Sequence, residues 1–134
     1  MNELISYNDS LMLRELGFDE ACFAWYSKGQ LILEHHIIFT GDQSYMREED
    51  CNAPTFSQAF RFFREKYQWQ SYIEPTSDQH SRELGYNYCL WNYKTGEEYN
   101  TMPQNCPSGD WEFGKYEDAE LACLIKLIEI VKNK

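Results

Sequence analysis

The stretch from Ala53 to Trp69 specifies a helix at both its start and its buried face, so the rest of the chain must be arranged around it. Pro54 disfavours helical backbone in the residue before it, and Thr55 then suits the N-cap. Gln58 stands three residues on. That is the spacing of a capping box, in which each side chain satisfies the other residue's free backbone N–H. Phe56, Ala59, Phe60, Phe63 and Tyr67 recur at helical intervals as one apolar stripe, while Ser57, Gln58, Arg61, Arg64 and Glu65 fall away from it. Phe62 lies off the stripe, so either the buried face is wide or a second surface covers that ring. The spacing predicts a helix over 56–67.

Upstream, Leu11, Met12, Leu13 and Leu16, with Gly17 placed as the C′ residue, predict a first helix over 5–16. The aromatic run 21–26 reads as a strand, Ser27-Lys28-Gly29-Gln30 as a turn, and 31–33 with 37–39 as its return, making a hairpin. Glu34-His35-His36 interrupts the returning strand. Residues 40–52, with Gly41 and the run Glu48-Glu49-Asp50, read as a loop. That length in a compact domain implies a hidden short strand or a functional loop.

Downstream, 69–74 alternates as a strand and 75–85 is polar and turn-rich. Residues 86–93 carry rings on both faces, which predicts a central strand covered on both sides. Lys94-Thr95-Gly96-Glu97 turns into a weaker strand near 98–101, 102–110 is a loop, and Trp111-Glu112-Phe113 adds a short extended segment. The closing helix is expected over 116–132, with Glu117, Asp118 and Glu120 in its first turn and Lys126 and Lys132 toward its end, both favourable to the helix dipole. At about 100° per residue, Leu121, Cys123, Leu124, Leu127, Ile128, Ile130 and Val131 cover about half its circumference. That is more than one flat contact requires, so either the sheet wraps this helix or its flank meets another subunit. Glu120 projects into the middle of that arc. It is either desolvated there with a raised pKa or solvated beyond the end of the core.

These elements predict an α+β fold over 1–134 as one domain: an antiparallel sheet of four to five strands with the 56–67 and 116–132 helices on one face. The N-terminal helix and hairpin, 1–39, and the loop 40–52 flank the unit 53–134.

Twenty-two carboxylates against twelve lysines and arginines leave a net charge of −10, which opposes nonspecific binding to nucleic acid. The plain reading is solubility, and a basic partner or mimicry of a polyanion is the sharper one. Five cysteines, an odd number without paired spacing, predict a reducing compartment and no disulfide framework. Met1 leads into acidic, polar sequence that predicts no signal peptide, and no apolar run approaches the roughly 18 residues of a membrane span. A cytoplasmic protein is expected.

His35, His36 and His80 with the acidic run at 48–50 could supply metal ligands. Adjacent histidines on a strand point to opposite faces, and no ligand spacing supports a site. Cys51 and Cys106, both in polar stretches, are the plausible reactive thiols, but no nucleophile or phosphate-loop signature is present. No catalytic residue, metal or cofactor is therefore expected. Arg61, Arg64 and Lys66 make the one basic patch. The helix–strand–strand–strand–helix order over 55–132 is that of a double-stranded-RNA-binding domain. Such domains hold phosphates with lysines at the start of the last helix, where this chain has Glu117-Asp118-Ala119-Glu120.

Two segments resemble a family. Ala53-Pro54-Thr55 followed by Gln58 to Tyr67, and Tyr116 to Leu124, are similar in order and separation to segments of small prophage-associated bacterial proteins of unknown function. Lys115 stands where a Thr or Ser cap is expected. The resemblance implies a phage-accessory setting and carries no catalytic residue with it. The expected function is a non-enzymatic module that self-associates, as a homodimer for example, or binds another protein, with Phe62, Arg61, Arg64, Glu120 and Ile130 as candidate interaction residues. The alternative is a nucleic-acid-associated module using the basic patch.

Overall fold

A computed structural model describes residues 3–33, 47–77, 83–101 and 111–134. The described elements are α1 (Tyr7–Glu15), β1 (Ala24–Ser27), β2 (Gln30–Leu33), β3 (Cys51–Asn52), α2 (Phe56–Tyr67), β4 (Trp69–Ser77), β5 (Leu84–Asn92), β6 (Glu98–Asn100) and α3 (Tyr116–Lys132). The class is α+β. In place of one sheet of four to five strands, the described strands form two antiparallel sheets of three, ordered β2-β1-β3 and β4-β5-β6. The difference has a simple cause: β1 has a neighbour on each side, so the hairpin completes a sheet of its own. The chain divides into two compact units, Met1–Phe62 with Ile130–Lys134, and Phe63–Glu129.

In the first unit α1 is capped by Ser6, whose hydroxyl accepts from the Asp9 N–H at 3.4 Å. It ends in a Schellman motif: Gly17, at φ 97°, donates to the Arg14 carbonyl and Phe18 to the Leu13 carbonyl. The β1–β2 turn places Lys28 at φ 53° and Gly29 at φ 82°, the positive pair of a type I′ hairpin. Lys28 lacks glycine's freedom there, and its N–H is held by buried Asp50 Oδ1 at 2.9 Å. The Arg14 guanidinium donates to the Arg47 and Asp50 carbonyls, fixing the chain that leads into β3. Thus the stretch read as a loop ends in a two-residue strand on β1 (Trp25↔Asn52, Tyr26↔Cys51). Tyr26 donates to the Ile5 carbonyl at 2.7 Å above a core that includes Leu13, Ala24, Cys51 and Ala53.

The capping box forms as the sequence predicts. Thr55 N–H donates to Gln58 Oε1 at 3.0 Å, and Gln58 N–H to Thr55 Oγ1 at 3.1 Å. Gln58 Nε2 also reaches the Ala21 carbonyl at 2.8 Å, so the cap is tied to the strand entry. Phe62, the ring off the stripe, is buried edge-on against Phe18 at 5.5 Å.

In the second unit β4 runs to Ser77, beyond the predicted end at 74 and straight through Pro75. Proline has no N–H to donate, and a position on an edge strand, as β4 is, tolerates that. β5 is central, as expected. Its register puts Trp69, Ile73, Tyr86, Tyr88, Leu90 and Tyr99 on one face of the sheet. The closing helix α3 lies on this face: Tyr116 packs edge-on to Tyr86 at 5.7 Å, and Lys126 Nζ sits 5.2 Å from the Tyr99 ring centroid. Cys123, Leu124 and Leu127 of α3 are fully buried.

Candidate functional site

Among the described residues, the opposite face of β4-β5-β6 presents two large half-exposed rings together and is the candidate contact surface. It is formed by Tyr72 and Glu74 of β4, Gly85, Asn87, Cys89 and Trp91 of β5, and Glu98 of β6. Half of it is covered. The Trp111 ring sits directly on Gly85, so close that a Cβ there would lie 1.9 Å from the ring. Asn87 Oδ1 accepts from the Glu112 N–H and the Thr101 hydroxyl, both at 3.0 Å, which pins that covering segment. Phe113 extends it as a single antiparallel bridge to Tyr86, in place of the short extended segment expected over 111–113.

The other half is open. Tyr72 is 50% exposed and Trp91 43%. Tyr72 pairs with Cys89 and Gln70 with Trp91, so the two rings are diagonal neighbours across adjacent strands, within mutual reach. Glu98 lies directly opposite Trp91. Its Oε1 accepts from Asn100 Nδ2 at 3.3 Å and from the Cys89 thiol at 3.7 Å. The Tyr72 phenol is pushed up, first by its hydrogen bond with Cys89, and also by Glu74 and Glu98. Both carboxylates therefore lie within electrostatic range of that ring. The central strand is thus not covered on both sides along its length, as its aromatic pattern suggests, because Trp111 reaches only its first half.

The sequence-derived candidates are scattered. Phe62 and Ile130 are buried, which withdraws both from any surface a partner could reach. Arg61 donates through Nε and Nη2 to both carboxylate oxygens of Glu20, at 3.2 and 2.9 Å, and so enters the basic patch already paired. Arg64 is exposed and its carbonyl accepts from the Tyr93 hydroxyl. Lys66 Nζ lies 5.7 Å from the Tyr67 ring centroid. Glu120 is half-buried, between the two expectations for it. Burial raises its pKa most and Glu117 adds to this, while a hydrogen bond from Tyr116 pulls it back.

That raised pKa sets a sign. The folded state binds the Glu120 proton more tightly than the unfolded state does, so the ionised carboxylate is a penalty above its folded pKa, relieved as pH falls through it. Glu120→Gln is expected to raise the melting temperature at pH 7. The gain should vanish near about pH 4, where the native acid is largely neutral. Thermal melts at the two pH values check this, and an equal gain at both would remove ionisation as the cause.

Cys51 is buried in β3 with its thiol pushed up to about 11, chiefly by burial, which disfavours the reactive thiolate form. Cys22 and Cys123 are likewise raised to about 12 by burial. Cys106, His35, His36, His80 and most of the 40–52 loop lie outside the described residues. Among the described residues no group of three His, Cys, Asp or Glu side chains is placed to hold a metal ion, and no helix is long and apolar enough to cross a membrane. An open groove of about 450 Å³ in the first unit is lined by Leu11, Arg14, Glu15 and Glu48.

Compared with protein-family models, curated proteins and solved structures, the chain finds no match.

Tyr72, Glu74, Trp91 and Glu98 are the site residues that sequence reasoning missed. Their alternation is visible in the chain, but which face stays open depends on where Trp111 lands.

Proposed function

We propose that the chain is a non-enzymatic protein-interaction module that engages another protein through the open half of the β4-β5-β6 outer face. The observation that carries this reading is the pair of large rings, Tyr72 and Trp91, held half-exposed side by side on a three-stranded scaffold. Rings that keep one polar end are enriched at the energetic centres of protein interfaces, and the paired strands fix the backbone that presents them. A second copy is the weaker occupant. An isologous contact through this face would gather the Glu74 and Glu98 carboxylates of both copies into one interface, with like charges desolvated together. Leu121 and Ile125, one turn apart on α3 and 39% and 46% exposed, are a separate apolar strip through which copies would meet if they do. The resemblance of 53–67 and 116–124 to prophage-associated proteins would make this an accessory protein of a phage.

A photo-crosslinking side chain installed at position 91, and as a control at position 48, tests the reading in cells. A discrete adduct from 91 and none from 48 is expected. Equal labelling from both positions would sink it. Light scattering over a tenfold range of protein concentration identifies an adduct with a second copy.

A further inference from the structure

Resting on that reading of the face, the geometry points to a partner that presents a lysine or arginine side chain to Trp91 and the Glu98 carboxylate opposite it, with Glu74 further along the same face beyond Tyr72. β4, β5 and β6 contain no lysine or arginine, so no strand of this sheet supplies a cation to the two acids on its outer face. Glu98 is directly opposite Trp91 in register, and its Oε1 is steadied by Asn100 and Cys89. Oε2 is then the atom a partner's N–H would take, while the rest of the cation lies over the indole face. A cation over tryptophan is attracted by the ring quadrupole, and a carboxylate beside it adds a charge-assisted hydrogen bond.

The alternatives fit less well. An apolar segment laid over Trp91 and Tyr72 would desolvate Glu98 and Glu74 without returning a partner to either. An anionic ligand, nucleic acid included, would meet two carboxylates at the site and a chain of net charge −10 around it. The same field favours encounter with a basic partner and raises its association rate. The chain already makes one contact of this kind on the opposite face, where Lys126 lies over Tyr99.

The test must separate a site from diffuse attraction to an acidic protein. The probe is a fluorescent peptide of alternating lysine and glycine, titrated at low salt, with its lysine-acetylated form as the uncharged control. Trp91→Ala leaves the net charge unchanged and is expected to weaken binding about tenfold. The pair Glu74→Gln with Glu98→Gln is expected to weaken it at least as much. The pair Glu48→Gln with Glu49→Gln removes the same charge from exposed positions in the other unit and should change affinity by less than about twofold. Trp91→Phe keeps a ring and should retain most of the affinity. Melting curves verify folding of each variant, and the two glutamate pairs decide the matter if Trp91→Ala fails to fold. Equal losses from the two glutamate pairs, no loss from Trp91→Ala, or equal binding of the acetylated peptide would each overturn the proposal. A selective adduct from position 91 would survive any of these results, so the partner's chemistry and the contact face fail separately.

Discussion

Gly85→Ala is expected to destabilise the protein by about 3 kcal/mol, the upper part of the range for forcing an atom into filled space. In a chain of this size that corresponds to roughly 10 °C in the melting midpoint. The sign is diagnostic, because alanine is otherwise the better strand residue and glycine is the one that weakens a sheet. The added Cβ would lie 1.9 Å from Trp111 Cγ and 2.1 Å from Cδ1 and Cδ2, distances that no side-chain adjustment at residue 85 can relieve. The indole must lift, and the bond that anchors the next residue, from the Glu112 N–H to Asn87 Oδ1, is strained with it. A double-mutant cycle isolates this cause. In a Trp111→Ala background the same substitution should cost less than about 1 kcal/mol, since the ring atoms nearest the new Cβ are then gone. An equal cost in both backgrounds would show that the ring is not the reason.

Asn92→Ala is expected to cost about 2–3 kcal/mol through hydrogen bonding rather than packing. The Asn92 side chain is buried and makes three bonds. Its Oδ1 accepts from the N–H groups of Lys94 and Thr95, at 2.9 and 3.0 Å, shaping the turn into β6. Its Nδ2 donates to the Tyr67 carbonyl at 3.2 Å, at the end of α2, where the next residue, Gln68, turns left-handed at φ 63°. One amide thus closes the hairpin and caps a helix. Asn92→Asp separates the two roles. The carboxylate still accepts from the two turn N–H groups but cannot donate to the Tyr67 carbonyl. At neutral pH the Asp variant is expected to lose most of the stability that Asn92→Ala loses through the Tyr67 bond while keeping the turn. An Asp variant as stable as the parent would show that the bond to Tyr67 contributes little.

Local signals were legible where a few neighbouring residues decide the outcome. The Thr55–Gln58 box, the Gly17 cap and the Ser27–Gln30 turn all form as read, because each satisfies backbone groups within the segment itself. The closing helix spans Tyr116–Lys132 for the same reason, its period and terminal charges being properties of that stretch alone. The candidate site was not legible in this way. Phe62 lies off the helix's apolar stripe, and the surface that covers it is Phe18, from more than forty positions away in the chain, which no local spacing names. Arg61 looks like a phosphate ligand until Glu20 is placed against it.

The sequence by itself determined the described helices to within two residues at each end, the Gly17 cap and the Ser27–Gln30 turn, and the net charge that favours basic over anionic partners. Those properties depend on neighbours a few residues apart and on composition. Only the tertiary structure decided how the strands are shared and which surface is left uncovered. Cys51 and Asn52 occupy the second edge of β1 and so make two sheets of three. Trp111 covers one half of the outer face of β5 and leaves Tyr72 and Trp91 open on the other. Both outcomes turn on contacts between residues some twenty-five apart. In such contacts the gain from burial and pairing outweighs local preference, and no periodicity within a single segment records it.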